Sequence, residues 1–162
     1  MRKLLTFIKR MFFYDEMEDV RAFYEKFKQP ISNHPTQRLV TSQRVHERIR
    51  FMQEELDEFK EAQGNNNLAL MADALIDLVY VAKGTAIEMG LPWEDLWQDV
   101  QRANMAKVIG KTARGIDIDV CKPPGWVPPQ TEAILDRAEF NAFYNQPLLN
   151  AYGKYDQNGA AK

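Results

Sequence analysis

Carboxylates stand at positions where helical packing alone would place apolar side chains. In Glu54-Glu55-Leu56-Asp57-Glu58, a step of about 100° per residue puts Ile49, Phe51, Met52, Leu56 and Phe59 on one apolar arc, with Glu55 inside it and Glu58 at its border. Glu54, Asp57 and Glu61 fall further out. Asp73 and Asp77 lie one turn apart on one face of a stretch that is apolar almost all round. A carboxylate buried in such a place must be protonated, paired with a cation or bound to metal. Four carboxylates from two helices facing one interior make a hard, oxygen-rich site. With no Cys or His among them, Mg²⁺ or Mn²⁺ suits it better than zinc or copper. The alternative is a set of buried salt bridges to Arg44, Arg48 or Arg50. A di-iron centre is disfavoured, since neither His34 nor His46 supplies the Glu-x-x-His motif it uses.

A later segment offers the opposite charge. Trp93, Trp97 and Val100 form a seam at i, i+4 and i+7 that continues to Asn104 and Lys107. An amide and a cation thus occupy places where packing would put Leu or Met. Lys107 presents a point charge suited to phosphate, and Asn104 presents donors and an acceptor. A helix that simply leaves the core at this point would show the same pattern.

Five helical segments must position these groups. Val20, Phe23, Tyr24 and Phe27 mark a helix over 15–28 that Pro30 closes. A second runs over 41–62 without Gly or Pro and ends at Gly64-Asn-Asn-Asn, residues that tolerate turn geometry. A third covers 68–89 and is apolar enough to need cover on most sides. After Gly90-Leu-Pro, a fourth is expected over 93–108, with Pro92 in its first turn and Glu94 and Asp95 near its positive end. The alternating run 116–121 reads as a short edge strand. Residues 122–129, Lys-Pro-Pro-Gly-Trp-Val-Pro-Pro, are too rich in proline for a helix and should form a stiff, extended segment. A last helix is expected over 131–144. The fold class is therefore all-α, a bundle of four to five helices.

The 162 residues suit a single domain over 1–144, with a basic, apolar extension at 1–14 and a polar, flexible tail at 145–162. With 21 basic and 23 acidic side chains the charge is nearly balanced, which argues against a nucleic-acid polymer as partner. The lone Cys121 cannot form an internal disulfide and points to a reducing, cytoplasmic setting. No apolar run approaches the roughly 20 residues that would span a bilayer.

Glu54-Glu55-x-x-Glu58, Asp73-x-x-x-Asp77 before Leu-Val-Tyr-Val, and Arg102-Ala-Asn104-Met-Ala-Lys107 together resemble the MazG-like branch of the all-α nucleoside triphosphate pyrophosphohydrolases. That superfamily includes phosphoribosyl-ATP pyrophosphohydrolase and the dimeric dUTPases. The similarity covers about residues 16 to 135. It implies that Glu55, Glu58, Asp73 and Asp77 bind two to three Mg²⁺ or Mn²⁺ ions, Asp77 matching the aspartate of the family's Glu-x-x-Asp. Ala74 stands where that motif has Glu, and Asp73, on the same helix face, takes its place. The implied reaction is hydrolysis of a (d)NTP between the α and β phosphates to (d)NMP and pyrophosphate. Glu54 would orient or deprotonate the attacking water, Lys107 would steady phosphate charge, and Asn104, Arg48 and Trp126 would contact substrate. Viral members of the group reshape purine deoxynucleotide pools, which makes dGTP a candidate substrate and a viral protein in host cytoplasm a candidate setting. The resemblance also implies a homodimer or a dimer of dimers. Phosphoribosyl-ATP hydrolysis is the alternative activity, and a non-catalytic helical dimer or nucleotide sensor is the alternative of another class.

Overall fold

The computed structural model describes residues 15–36, 41–110 and 119–152, the last eight by their backbone alone. The helices are α1 (Glu16–Lys26), α2 (Ser42–Gly64), α3 (Leu68–Glu88), α4 (Trp93–Met105) and α5 (Thr131–Tyr152). The described residues add one pair of short strands, β1 (Val108–Gly110) antiparallel to β2 (Asp119–Cys121), with Ile109 opposite Val120. The fold is all-α, as expected. Among the described residues no helix is long and apolar enough to cross a membrane.

Three boundaries differ from the sequence expectation. Helix α4 stops at Met105, because Val108 to Gly110 leave helical geometry to pair with β2. The expected strand begins at Asp119 within the described residues, and 116–118 lie outside them. Helix α5 continues past Tyr144 to Tyr152, so the backbone of 145–152 is helical where a loose tail was expected. The N-terminal extension 1–14 and residues 153–162 lie outside the described residues.

The chain forms two compact units, Met1–Gly90 and Leu91–Lys162. In the first, Asp15, Thr41 and Asn67 cap α1, α2 and α3 by accepting hydrogen bonds from Met17, Arg44 and Leu70 backbone N–H groups. Asn66, at φ 50°, makes the tight turn that sets α3 antiparallel against α2. The segment after α1 runs back along the end of α3, where Ser32 N–H donates to the Ile87 carbonyl at 3.1 Å and Thr36 N–H to the Met89 carbonyl at 2.9 Å. These contacts cap carbonyls that the helix end leaves free. Gly90 follows at φ +62°, pressed against the His34 backbone, a site that takes only glycine without strain.

The core of this unit is small, with Val20, Tyr24 and Ile87 buried and Met17, Ile31 and Tyr80 packed on them. At its centre lies an ionic network. The Glu88 side chain is 1% exposed and accepts hydrogen bonds from Arg44 Nη2 at 2.7 Å, Arg44 Nε at 3.0 Å and the Tyr24 hydroxyl at 3.0 Å. Arg48 approaches the same carboxylate at 3.7 Å and donates to Thr85 and to the Val81 carbonyl. Burial raises the Tyr24 phenol to about 12. Gly84 sits directly under the Tyr24 ring, where an added Cβ would fall 2.8 Å from ring carbons. Lys83, also buried, reaches Glu16 at 2.7 Å and holds its carboxyl below the usual range.

In the second unit, Ala103 and Ile134 are buried between α4 and α5, and Arg137 pairs with Asp95 at 3.1 Å. Trp126 Nε1 donates to the Ala103 carbonyl at 2.7 Å and Arg102 Nη2 to the Pro128 carbonyl at 3.1 Å, pinning the proline-rich segment to α4.

Removing one partner of a buried charge network leaves the others uncompensated, at a cost of about 3–5 kcal/mol. Glu88→Gln should therefore lower the urea midpoint strongly, and an unchanged midpoint would show that the network contributes no net stability.

Candidate active site

Helices α2 and α3 each carry one functional stripe, and their antiparallel pairing sets the stripes face to face. Along α2 the stripe reads Arg44, Arg48, Phe51, Glu55, Glu58; along α3 it reads Asp73, Asp77, Tyr80, Gly84, Glu88. The arginines of α2 meet Glu88 of α3 at one end. At the other end, near the Asn65–Asn67 turn, acid meets acid.

Glu55 is the focus of the acidic end. Burial pushes its carboxyl above the usual range, and the negative charges of Glu58, Asp77, Glu54 and Asp73 push it further in that order. Glu55 thus lies within electrostatic reach of the other four acidic residues that the sequence singles out. Glu55 Oε2 is buried and has no hydrogen-bond partner, the one such side-chain atom among the described residues. No cationic partner of Glu55, Glu58, Asp73 or Asp77 occurs among the described residues. The salt-bridge alternative fails for these four because the arginines are engaged elsewhere: Arg44 and Arg48 with Glu88, and Arg50 with Glu54 at 3.4 Å on the surface.

The openness of the site departs from the sequence expectation. Asp73, Asp77 and Glu58 are exposed, not enclosed in a bundle, and only Glu55 is half-buried. The reason is that the described residues do not cover α3 all round: Leu70, Leu75, Ile76 and Val79 are between 49% and 67% exposed. Ala74, beside Asp73, is buried. As placed, no three of the described carboxylates close into a ligand shell. The donor set nevertheless suits a hard divalent cation, with acidic oxygens only, no competing cation and an orphaned buried oxygen at its centre.

The remaining candidates have defined partners. Arg48 is 7% exposed and held by Thr85 and Val81. In the second unit, Lys107 Nζ donates to Asn104 Oδ1 at 2.8 Å, so the two form a pair at the end of α4. Trp126 is half-buried, anchored to Ala103, with the Lys122 ammonium 4.6 Å from its ring centroid. Those contacts give the indole a packing role in the chain. The seam of α4 is open, with Trp97 62% exposed and stacked near Trp93.

Sequence reasoning missed Glu88 and Tyr24. Glu88 lies eleven residues beyond Asp77, three turns along the same stripe, so extending that stripe to the helix end would have reached it.

The family described as phosphoribosyl-ATP pyrophosphohydrolase (PRA-PH) matches residues 20–104, just over half of the chain. The chain belongs to this family. The match runs from α1 to the end of α4 and so contains the whole carboxylate row and Asn104, while Lys107 and Trp126 lie beyond it. Membership places the chain in the all-α NTP pyrophosphatase-like superfamily, as a hydrolase of the kind that acts on acid anhydrides. A search of curated proteins gave no match.

An acid held above its ordinary pKa in the fold destabilises the fold once it ionises. The penalty from Glu55 is absent below the unfolded value near 4.5, grows as pH rises, and is complete above the folded value. In EDTA, Glu55→Gln should therefore raise Tm at pH 7 and have little effect at pH 4. Mn²⁺ should raise Tm of the unaltered protein more than that of Glu55→Gln. A drop in Tm for the variant at pH 7 would contradict this account of Glu55.

Proposed function

We propose that this protein is a Mg²⁺- or Mn²⁺-dependent nucleoside triphosphate diphosphatase of MazG-like type, cleaving a (d)NTP to (d)NMP and pyrophosphate. The observation that carries the reading is the carboxylate row around the orphaned Glu55 Oε2, uncompensated by any cation among the described residues, in a chain of a pyrophosphohydrolase family.

Glu55, Glu58, Asp73 and Asp77 would hold the divalent ions. Bound there, such ions would neutralise phosphate charge and lower the pKa of water in the site. In the hydrolysis, water oxygen forms a bond to the α-phosphorus, the bond from that phosphorus to the α–β bridging oxygen breaks, and pyrophosphate leaves with the electron pair. Glu54, exposed and adjacent to Glu55, can take the water proton once it releases Arg50. Lys107, paired with Asn104 in the second unit, would offer a cation to phosphate and Asn104 a contact to sugar or phosphate, the roles that the resemblance implies. Arg48 and Trp126 would contact substrate on the same ground.

A panel of (d)NTPs that includes the purine deoxynucleotide dGTP, with Mg²⁺ and Mn²⁺ and scored for pyrophosphate, is the direct test. Glu58→Gln and Asp77→Asn should each reduce turnover by roughly a hundredfold or more while the helical CD spectrum persists. Release of inorganic phosphate in place of pyrophosphate would move the cleaved bond and overturn the chemistry. Turnover of phosphoribosyl-ATP alone would replace the nucleotide reading by the one in the family's name.

A homodimer, or a dimer of dimers, accompanies this reading. Leu70, Leu75, Ile76 and Val79 leave the α3 surface apolar and uncovered beside the carboxylates, a pattern suited to a second copy of the chain. Light scattering should give at least twice the 18.8 kDa chain mass. A stable monomer at micromolar concentration would remove the assembly from the proposal.

A further inference from the structure

A cleft of about 460 Å³ opens between α1, α2 and α3, walled by Phe23, Phe27, Phe51 and Tyr80 and floored by Arg44 and Arg48. Its size falls in the range of small-ligand sites. Two of the wall's rings are exposed, Phe23 42% and Phe27 50%, and Phe23 lies edge-on to Tyr80 with ring centroids 5.6 Å apart. Exposed rings lining a concave surface offer stacking partners to a planar heterocycle.

The cleft adjoins the carboxylates on both helices. Phe51 stands four residues before Glu55, about 6 Å along the axis, and Tyr80 three residues after Asp77, about 4.5 Å. One sugar unit covers such a gap. A nucleotide with its phosphates at the acidic row would therefore bring its base to the aromatic wall.

The floor has a one-sided hydrogen-bonding capacity. Its acceptors are already engaged: the Glu88 oxygens by Arg44 and Tyr24, the Val81 carbonyl by Arg48 and Thr85, and Gln29 Oε1 by Arg44. Arg48 uses Nε and Nη2, and its Nη1 has no partner among the described residues. Arg48 is itself one of the residues that line the cleft. A guanidinium has donors only. Guanine presents N7 and O6 as acceptors, and thymine and uracil present O4; adenine and cytosine place an amino donor at the equivalent position.

We infer that this cleft is the base-reading part of the nucleotide site and takes bases with a carbonyl edge, guanine, thymine or uracil, in preference to adenine or cytosine. The inference rests on the proposed nucleotide hydrolysis and names the substrate class of that same site. An amino group set against Arg48 would leave two donors facing each other, a mismatch worth roughly tenfold to a hundredfold.

The test uses the full chain in two arms. Binding of dGMP, dTMP, dAMP and dCMP is measured by titration without metal, and kcat/KM for the four triphosphates with Mg²⁺. dGMP and dTMP should bind at least about tenfold more tightly than dAMP and dCMP. Phe23→Ala should weaken binding of all four and raise KM more than it lowers kcat. Arg48→Lys should flatten the base preference; if that variant does not fold, the unaltered protein and Phe23→Ala still decide. Equal binding of the four bases, or affinities untouched by Phe23→Ala, would overturn the inference. Base preference in binding without pyrophosphate release keeps the cleft and removes the hydrolase reading. Pyrophosphate release without base preference does the reverse.

Discussion

The first unit depends on one buried carboxylate. Glu88, at the last turn of α3, is 1% exposed on its side chain and gathers donors from α1 through Tyr24 and from α2 through Arg44, with Arg48 close by. Desolvating such a group is costly, and only well-placed donors offset the cost. A shift of α2 along α3 by one turn would strand Glu88 without Arg44 and Arg48. The network thus fixes the register of α2 and α3 where the aliphatic core among the described residues is small, Ile87 and Val20 being the largest fully buried side chains there.

Register at one end determines composition at the other. Holding the arginines against Glu88 places Glu55 and Glu58 opposite Asp77 and Asp73, so the order that satisfies one cluster concentrates like charge in the next. Glu55 bears most of that conflict, with an oxygen that is buried and unpartnered. Real proteins tolerate local conflicts of this kind at sites where a ligand resolves them. Stability and chemistry are divided between the two ends of one helix pair.

The fold was largely legible from residue types. Gly64-Asn-Asn-Asn and Gly90-Leu-Pro marked helix ends that the structure places within a residue or two, because caps and positive-φ positions are written locally. The end of α4 was not, since Val108 leaves the helix to pair with Cys121, a partner distant in sequence. Glu55 and Glu58 were picked out by their place in or beside an apolar arc, and Asp73 and Asp77 by a stretch apolar almost all round; in the structure the charges of Glu58, Asp73 and Asp77 all act on Glu55. Their exposure was not legible: the apolar character of α3 promised cover that the described residues do not supply at Leu75, Ile76 and Val79. Glu88 was overlooked because a single acid near a helix end looks like a solvated one until its long-range donors are known.

Gly84 gives the Tyr24 ring the space to reach Glu88, and no side chain can be added there without displacing the ring. The tightest steric point of the unit therefore coincides with its most polar one. In most cores, a change in size and a change in charge can be compensated by different neighbours and so accumulate separately over generations. Here both would fall on the same hydroxyl, and sequence drift at positions 24, 84 and 88 can proceed only as a joint substitution.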